Sequence, residues 1–295
     1  MPLFETLLPM SFTGGVMIMV VFAARPLLKR LRTYNVLLLL WMCALFLLVA
    51  PFRPASPSSV YNAVGESPAL SQAFTVGMAG TAPQFYAGGQ GSLSVAPSRY
   101  LNIIPTIWLV GFFIILAYLC VSMAALKRLF KDAIPRTDLS ARVPVYVSSR
   151  AAGPITYGII RPRVVLPINI DETDAATLGH VLSHEYQHVR YKDALINIAW
   201  LVALCAHWFN PLAWAGWFFL RRDMETRCDA GAIKRLGANY IKSYANALLE
   251  MAPVRKAHAL PLAFGSSSLN ERIERVVAYR PAKRSAVIVA TAMML

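Results

Sequence analysis

The chain has 295 residues, 57% of them hydrophobic and 15% charged, with a formal net charge of +14. That balance is too apolar for an ordinary soluble domain and makes a lipid bilayer the expected solvent for part of the chain. Because the basic residues sit beside apolar runs and not in one patch, the charge marks the inner side of a membrane, and direct nucleic-acid binding is not expected. Cys43, Cys120, Cys205 and Cys228 are far apart, and three of them lie in apolar runs, so neither a disulfide framework nor a CxxC metal site is expected.

In chain order, the first apolar run covers about residues 7–24 and carries no internal charge. Basic residues follow it instead of preceding it, the wrong order for a signal peptide, so it reads as a retained membrane helix. Arg25, Lys29, Arg30 and Arg32 then form a short basic inner loop, and a second span is expected over about 35–52. Residues 53–101 are rich in Ser, Pro, Gly and Ala and read as an extracellular loop. A third span over about 103–126 returns the chain inward and ends on Lys127, Arg128 and Lys131. Residues 1–126 are thus expected to form a membrane domain and 127–284 a cytoplasmic, membrane-associated domain, while apolar residues 285–295 read as the start of a fourth span.

Within the second domain, the valine-rich stretch from Val143 to Ser149 and the β-prone stretch from Ile155 to Pro167 predict a small sheet. Pro162 cannot donate to a ladder and belongs at a turn, bulge or edge. The segment from Ile159 to Leu166 is therefore expected to be an exposed edge, with Ile159, Arg161, Arg163 and Val165 holding an extended peptide. Asp171, Thr173 and Asp174 offer N-cap oxygens ahead of Leu178, Val181, Leu182 and Val189 at helical spacing. Near the other end, residues 269–277 read as a short charged helix.

The predicted helix after Asp174 carries HEYQH at 184–188. Four residues is slightly more than one helical turn, so His184 and His188 can offer ring nitrogens to one ion, a pairing that suits tetrahedral zinc. Glu185, one residue along, can serve as the base for a water molecule. A catalytic zinc needs a third protein ligand. His180 lies on the same face, but three ligands along one straight helix would span about 12 Å and cannot converge. His207 and His258 have no motif context. Asn210 and Pro211 predict an N-cap and first turn of a later helix, on which Glu225 and Asp229 share a face. Glu225 is the expected third ligand, and Asp229 is expected to accept a hydrogen bond from a ligand histidine. A single membrane crossing between His188 and Glu225 would separate them by about 30 Å, so the apolar residues between them must form a hairpin broken at Asn210 and Pro211.

The stretch YGIIRPRVVLP at 157–167, HEYQHVRYKD at 184–193, HWFNPLAW at 207–214 and ETRCD at 225–229 together resemble the BlaR/MecR-type sensor-transducer, or antirepressor, membrane peptidases of the gluzincin class. The resemblance implies an α-helical membrane protein with a cytoplasmic gluzincin-like α+β zinc peptidase domain, a small sheet beside the HExxH helix. It also implies Glu225 as third zinc ligand, Asp229 as its partner residue, and as substrate a cytoplasmic repressor, the peptidase itself, or both. The lipid bilayer is a partner by composition, and a homodimer is an admissible assembly. The β-lactam sensors of that family carry a penicillin-binding domain after the fourth span. No SxxK nucleophile occurs in this sequence, so direct acylation by a β-lactam is not expected.

Tyr191, Arg227, Tyr240 and Tyr244 are the candidates for steadying an oxyanion. The rival reading is a non-proteolytic membrane transducer with a structural zinc, and Glu185 argues against it because a purely structural site needs no such carboxylate. Residues 257–268, with Pro261, Gly265 and three serines, read as a flexible connector open to self-cleavage.

Overall fold

The computed structural model describes residues 2–50, 103–139, 143–168, 174–250 and 269–281. The expected extracellular loop, the connector at 257–268 and the fourth span lie outside the described residues. The protein is mostly helical, with a small mixed sheet.

Helix α1 (Pro2–Leu31) and α2 (Tyr34–Val49) form an antiparallel hairpin, and α3 (Ile103–Leu129) is the third long apolar helix. By length and composition α1 and α3 could each cross a bilayer, and α2 is shorter. Helix α3 leaves Ile104, Ile107, Val110, Phe113, Ile114 and Val121 exposed, a face that is stable only against lipid or another apolar surface. The basic stretch after the first apolar run is not a loop. Helix α1 continues through Arg25, Lys29 and Arg30, and the turn is confined to Arg32, at φ 60°, and Thr33. The reason is an ion pair: Arg25 Nε lies 2.8 Å and Lys29 Nζ 2.9 Å from the Asp223 carboxylate, which also accepts from Trp41 Nε1 at 3.0 Å.

The sheet follows α3. Strands β1 (Ile134–Pro135), β2 (Val145–Ser148), β3 (Ile155–Tyr157) and β4 (Arg163–Pro167) lie in the order β1-β2-β4-β3, with β2 parallel to β4 and the other pairs antiparallel. This corrects the expected edge. Strand β4 lies between two neighbours, Val165 is 1% exposed, and Ile159 and Arg161 belong to the β3–β4 connection. Arg163 sits at the start of β4 with its guanidinium 5.3 Å from the Tyr146 ring centroid. Among the described residues the strands paired on one side only are β1 and, beside β4, β3. The connection from β3 to β4 turns at Gly158, where φ is +98° and an added Cβ would meet the Arg161 carbonyl oxygen at 2.6 Å. Pro162 falls just before β4, where no ladder donor is required.

Helix α4 (Ala175–Arg190) carries the HEYQH residues. Its N-cap is Asp174, whose Oδ1 accepts from the Thr177 amide at 2.7 Å. Val181 packs with Val145, Val147, Val164 and Leu166, which fixes α4 across the sheet.

Helices α5 (Asp193–Ala206) and α6 (Pro211–Leu236) form the expected hairpin. Asn210 caps α6 through Oδ1, which accepts from the Leu212 amide at 2.9 Å, while its Nδ2 donates to Ser11 Oγ at 2.8 Å. The turn also meets α2 and α3: His207 Nε2 donates to the Leu48 carbonyl at 2.8 Å, and Trp108 Nε1 donates to the Ala206 carbonyl at 2.8 Å. Leu48 lies near the end of α2 and Trp108 near the start of α3, so the hairpin runs back along the apolar helices. Fourteen residues of α5 cover about 21 Å of that depth. Trp200 and Trp41 meet edge to face, centroids 5.7 Å apart, in the core shared by the two hairpins.

Helix α7 (Ile241–Glu250) and the short α8 (Leu269–Val277) complete the described chain. They pack on the second half of α6 through Ala232, Ile233, Tyr244, Ala245 and Val276.

Candidate metal centre

The crossing of α4 and α6 brings His184, His188 and Glu225 together, all buried, with ligand atoms within 4.8 Å of one another. The two Nε2 atoms are 3.1 Å apart. Glu225 Oε2 lies 3.5 Å from His184 Nε2, and Oε1 lies 3.7 Å from His188 Nε2. Two nitrogens sharing a tetrahedral zinc at ordinary bond lengths would be about 3.3 Å apart, so the spacing fits that ion.

Both histidines are oriented from behind. The Nδ1 of His188 donates to Asp193 Oδ2 at 2.8 Å, and Asp193 is completely buried. Arg227 donates to its other oxygen, and the Cys228 thiol to Oδ2 at 3.1 Å. Burial, followed by the Asp193 and Glu225 carboxylates, pushes the Cys228 thiol well above its ordinary value. His188, Asp193 and Cys228 form a second buried group with ligand atoms within 4.8 Å of one another, and without an ion the Cys228 thiol serves as a hydrogen-bond donor to Asp193. The Nδ1 of His184 lies 2.9 Å from the Tyr244 hydroxyl oxygen and 3.1 Å from Asp229 Oδ1, while the Tyr244 hydroxyl donates to that same Oδ1 at 3.0 Å. With Nδ1 protonated on both rings, the Nε2 lone pairs converge beside a carboxylate, an arrangement that calls for a cation.

The metal-free electrostatics agree. Burial and the Arg272 guanidinium lower the affinity of His184 for a proton, yet hydrogen bonds to Asp229 and Glu225 outweigh them and raise its pKa to about 9. The same balance, with burial opposed by the Asp193 hydrogen bond and the Glu225 charge, raises that of His188. Burial would raise Glu225, but Arg272 and the two histidines bring it down to about 2.

Glu185 points to the sheet. The Thr156 hydroxyl on β3 donates to Glu185 Oε2 at 2.7 Å, so the edge strand and the expected base are joined directly. Beside this contact, Thr156, Tyr157, Gly158, Ile159 and Ile160 line a mainly apolar cavity of about 230 Å³ with Met123, Leu126 and Ile198.

His180 stays outside the cluster, its Nε2 2.9 Å from Ser243 Oγ. His207 is 1% exposed at the hairpin turn, and His258 lies outside the described residues. Tyr244 and Arg227 lie behind the ligands, on the Nδ1 side. Tyr191 stacks under Arg227 at 4.0 Å, and exposed Tyr240 sits against His180.

Three residues had no role in the sequence reading. Asp193 comes five residues after His188, beyond helical reach, and is swung back because Lys192 adopts φ 55°. Thr156 and Arg272 lie 29 and 88 residues from their partners Glu185 and His184, with no spacing that could signal the contact.

The chain is 34% identical over 134 residues to regulatory protein BlaR1 of Bacillus licheniformis, covering 44% of this chain and 22% of that one. It is 24% identical over 143 residues to the methicillin resistance mecR1 protein of Staphylococcus aureus and to that of Staphylococcus epidermidis, covering 46% of this chain and 24% of each relative. The chain thus matches less than a quarter of the length of these relatives. The model of the family described as BlaR1 peptidase M56 matches residues 5–276, nearly the whole sequence, and the chain belongs to that family.

Proposed function

We propose that the chain is a membrane-embedded zinc metalloendopeptidase of the signal-transducing antirepressor type, acting on a cytoplasmic protein, on itself, or on both. One observation carries the reading: two imidazole nitrogens and a carboxylate, all buried, converge to within 4.8 Å of one another.

His184, His188 and Glu225 would hold the zinc, which supplies Lewis acidity to the substrate carbonyl and acidity to a water. Glu185 would serve as the base that accepts a proton from the attacking water and returns it to the leaving amine. Thr156 holds Oε2 of Glu185 by its hydroxyl and so fixes the carboxylate. Asp229 and Asp193 keep the two imidazoles in the tautomer that faces the ion. Strand β3 offers its unpaired side to an extended peptide, which replaces the assignment of that role to residues 159–166. The Lys and Arg asymmetry supports residues 127–284 facing the cytoplasm, with the α5–α6 hairpin running along the apolar helices toward their outer ends.

The test compares cells carrying wild-type protein with cells carrying Glu185→Gln. Glutamine keeps the shape beside the histidines, so the variant should retain its metal while losing about two to four orders of magnitude in cleavage rate. Proteomics should then find fragments only with the wild type, among them one ending between residues 257 and 268 if the protein cuts itself. Identical fragments from both proteins would assign the cleavage to another protease and leave a transducer with a structural metal.

A further inference from the structure

Helix α8 has nine residues, yet it meets α6 at four polar points. Glu271 pairs with Arg222, Arg275 donates to Thr226 Oγ1, and Arg272 reaches both Asp229 and Glu225. Its contacts to Asp229 are the closest: Nη2 donates to Oδ1 at 2.7 Å and Nε to Oδ2 at 3.1 Å, a bidentate pair. Those to Glu225 Oε2 and His184 Nε2 are longer, at 3.5 and 3.3 Å.

The order of these distances decides what the side chain does. Asp229 Oδ1 must accept from His184 Nδ1 if Nε2 is to keep its lone pair for an ion. A carboxylate held by the Tyr244 hydroxyl alone can rotate about its Cβ–Cγ bond, whereas one gripped on both oxygens by a planar guanidinium cannot. The geometry points to Arg272 as a positioning residue that locks Asp229, and through it His184, so that docking of α8 and affinity for the metal are one coupled equilibrium. This rests on the reading of His184, His188 and Glu225 as a zinc site. By reciprocity, whatever draws α8 away from α6 loosens the metal, and loading the metal tightens α8.

The experiment uses the full chain in detergent, stripped of metal and titrated with zinc against a chromophoric chelator. Arg272→Ala should bind zinc about ten- to a hundredfold more weakly, the usual effect of losing a partner behind a ligand. Arg272→Lys should recover only part, since an ammonium cannot grip both oxygens. Arg275→Ala, which removes a different contact of the same helix, should stay within about twofold of wild type, as expected for a residue not paired with a ligand's partner. In wild type, zinc should slow hydrogen exchange of the amides of residues 269–277, and this protection should be absent from Arg272→Ala. Unchanged affinity in Arg272→Ala overturns the proposal. Tighter binding also overturns it, because the guanidinium would then compete with the ion for Glu225. An equal loss in Arg275→Ala, with α8 still held by Arg272, overturns it as well, by showing that the grip on Asp229 has no special part in the affinity. Failure of the wild type itself to bind zinc would remove the metal-site reading, a result distinct from all three.

Discussion

The hydroxyl of Thr156 donates to Glu185 Oε2 across 2.7 Å, joining an outer strand of the described sheet to the carboxylate next to His184. A substrate that pairs with β3 would therefore be placed by the same element that aims the base.

From this contact, Thr156→Val should lower peptide cleavage about ten- to a hundredfold, the scale of a modest misplacement of a reacting group. Zinc content should not change, since no ligand is touched, and Thr156→Ser should restore most of the rate. Cleavage kinetics together with metal analysis check this. Loss of zinc in the valine variant would mean that Thr156 supports the helix and not the base.

Glu225→Ala should lose zinc far more severely than His180→Ala. Glu225 is 3.5 and 3.7 Å from the two ligand nitrogens, whereas His180 Nε2 is engaged by Ser243 on another helix. Metal analysis of the purified variants decides, and equal zinc in wild type and Glu225→Ala would take Glu225 out of the site.

Zinc affinity should rise with pH. Zinc must displace the proton that His184 holds up to about pH 9, and His188 is raised in the same direction, so between pH 6.5 and 8.5 affinity should increase at least about tenfold per unit, with release of one proton or more. The sign reverses for the metal-free fold. A raised histidine pKa contributes stability that is complete below the unfolded value of 6.5 and lost as pH climbs through about 9. Chelator competition and thermal unfolding at the two pH values measure both trends.

Asp223→Ala should destabilise the protein strongly in detergent. Its carboxylate is 3% exposed and neutralises Arg25 and Lys29, whose side chains are 14% and 26% exposed. Breaking a buried pair from one side costs about 3–5 kcal/mol, and the partial exposure of the two cations places the loss at the lower end. The unfolding midpoint of the variant tests this, and a midpoint equal to wild type would show that the network contributes no net stability.

The sequence by itself determined the long helices and singled out His184, His188 and Glu225, which the fold brings together. Apolar runs bounded by basic residues mark the long helices, because only lipid or a deep core tolerates so many uncharged positions. His184, Glu185 and His188 are legible because their geometry is local to one helix. Glu225 and Asp229 could be paired with them because a helix face is also local, and because Asn210 and Pro211 declare the break that lets α6 return. What lay beyond reach was every contact set by how elements pack. Strand order depends on pairing across the sheet, so the stretch expected at the edge became the interior β4, while β3 took the outer position. The basic residues after the first apolar run became helix and not loop because Asp223, nearly two hundred residues away, draws Arg25 and Lys29 onto α6. Asp193 reaches His188 only through a left-handed backbone at Lys192. Thr156 and Arg272 reach the site only because β3 and α8 dock there, and docking is a property of surfaces that no spacing along a chain encodes.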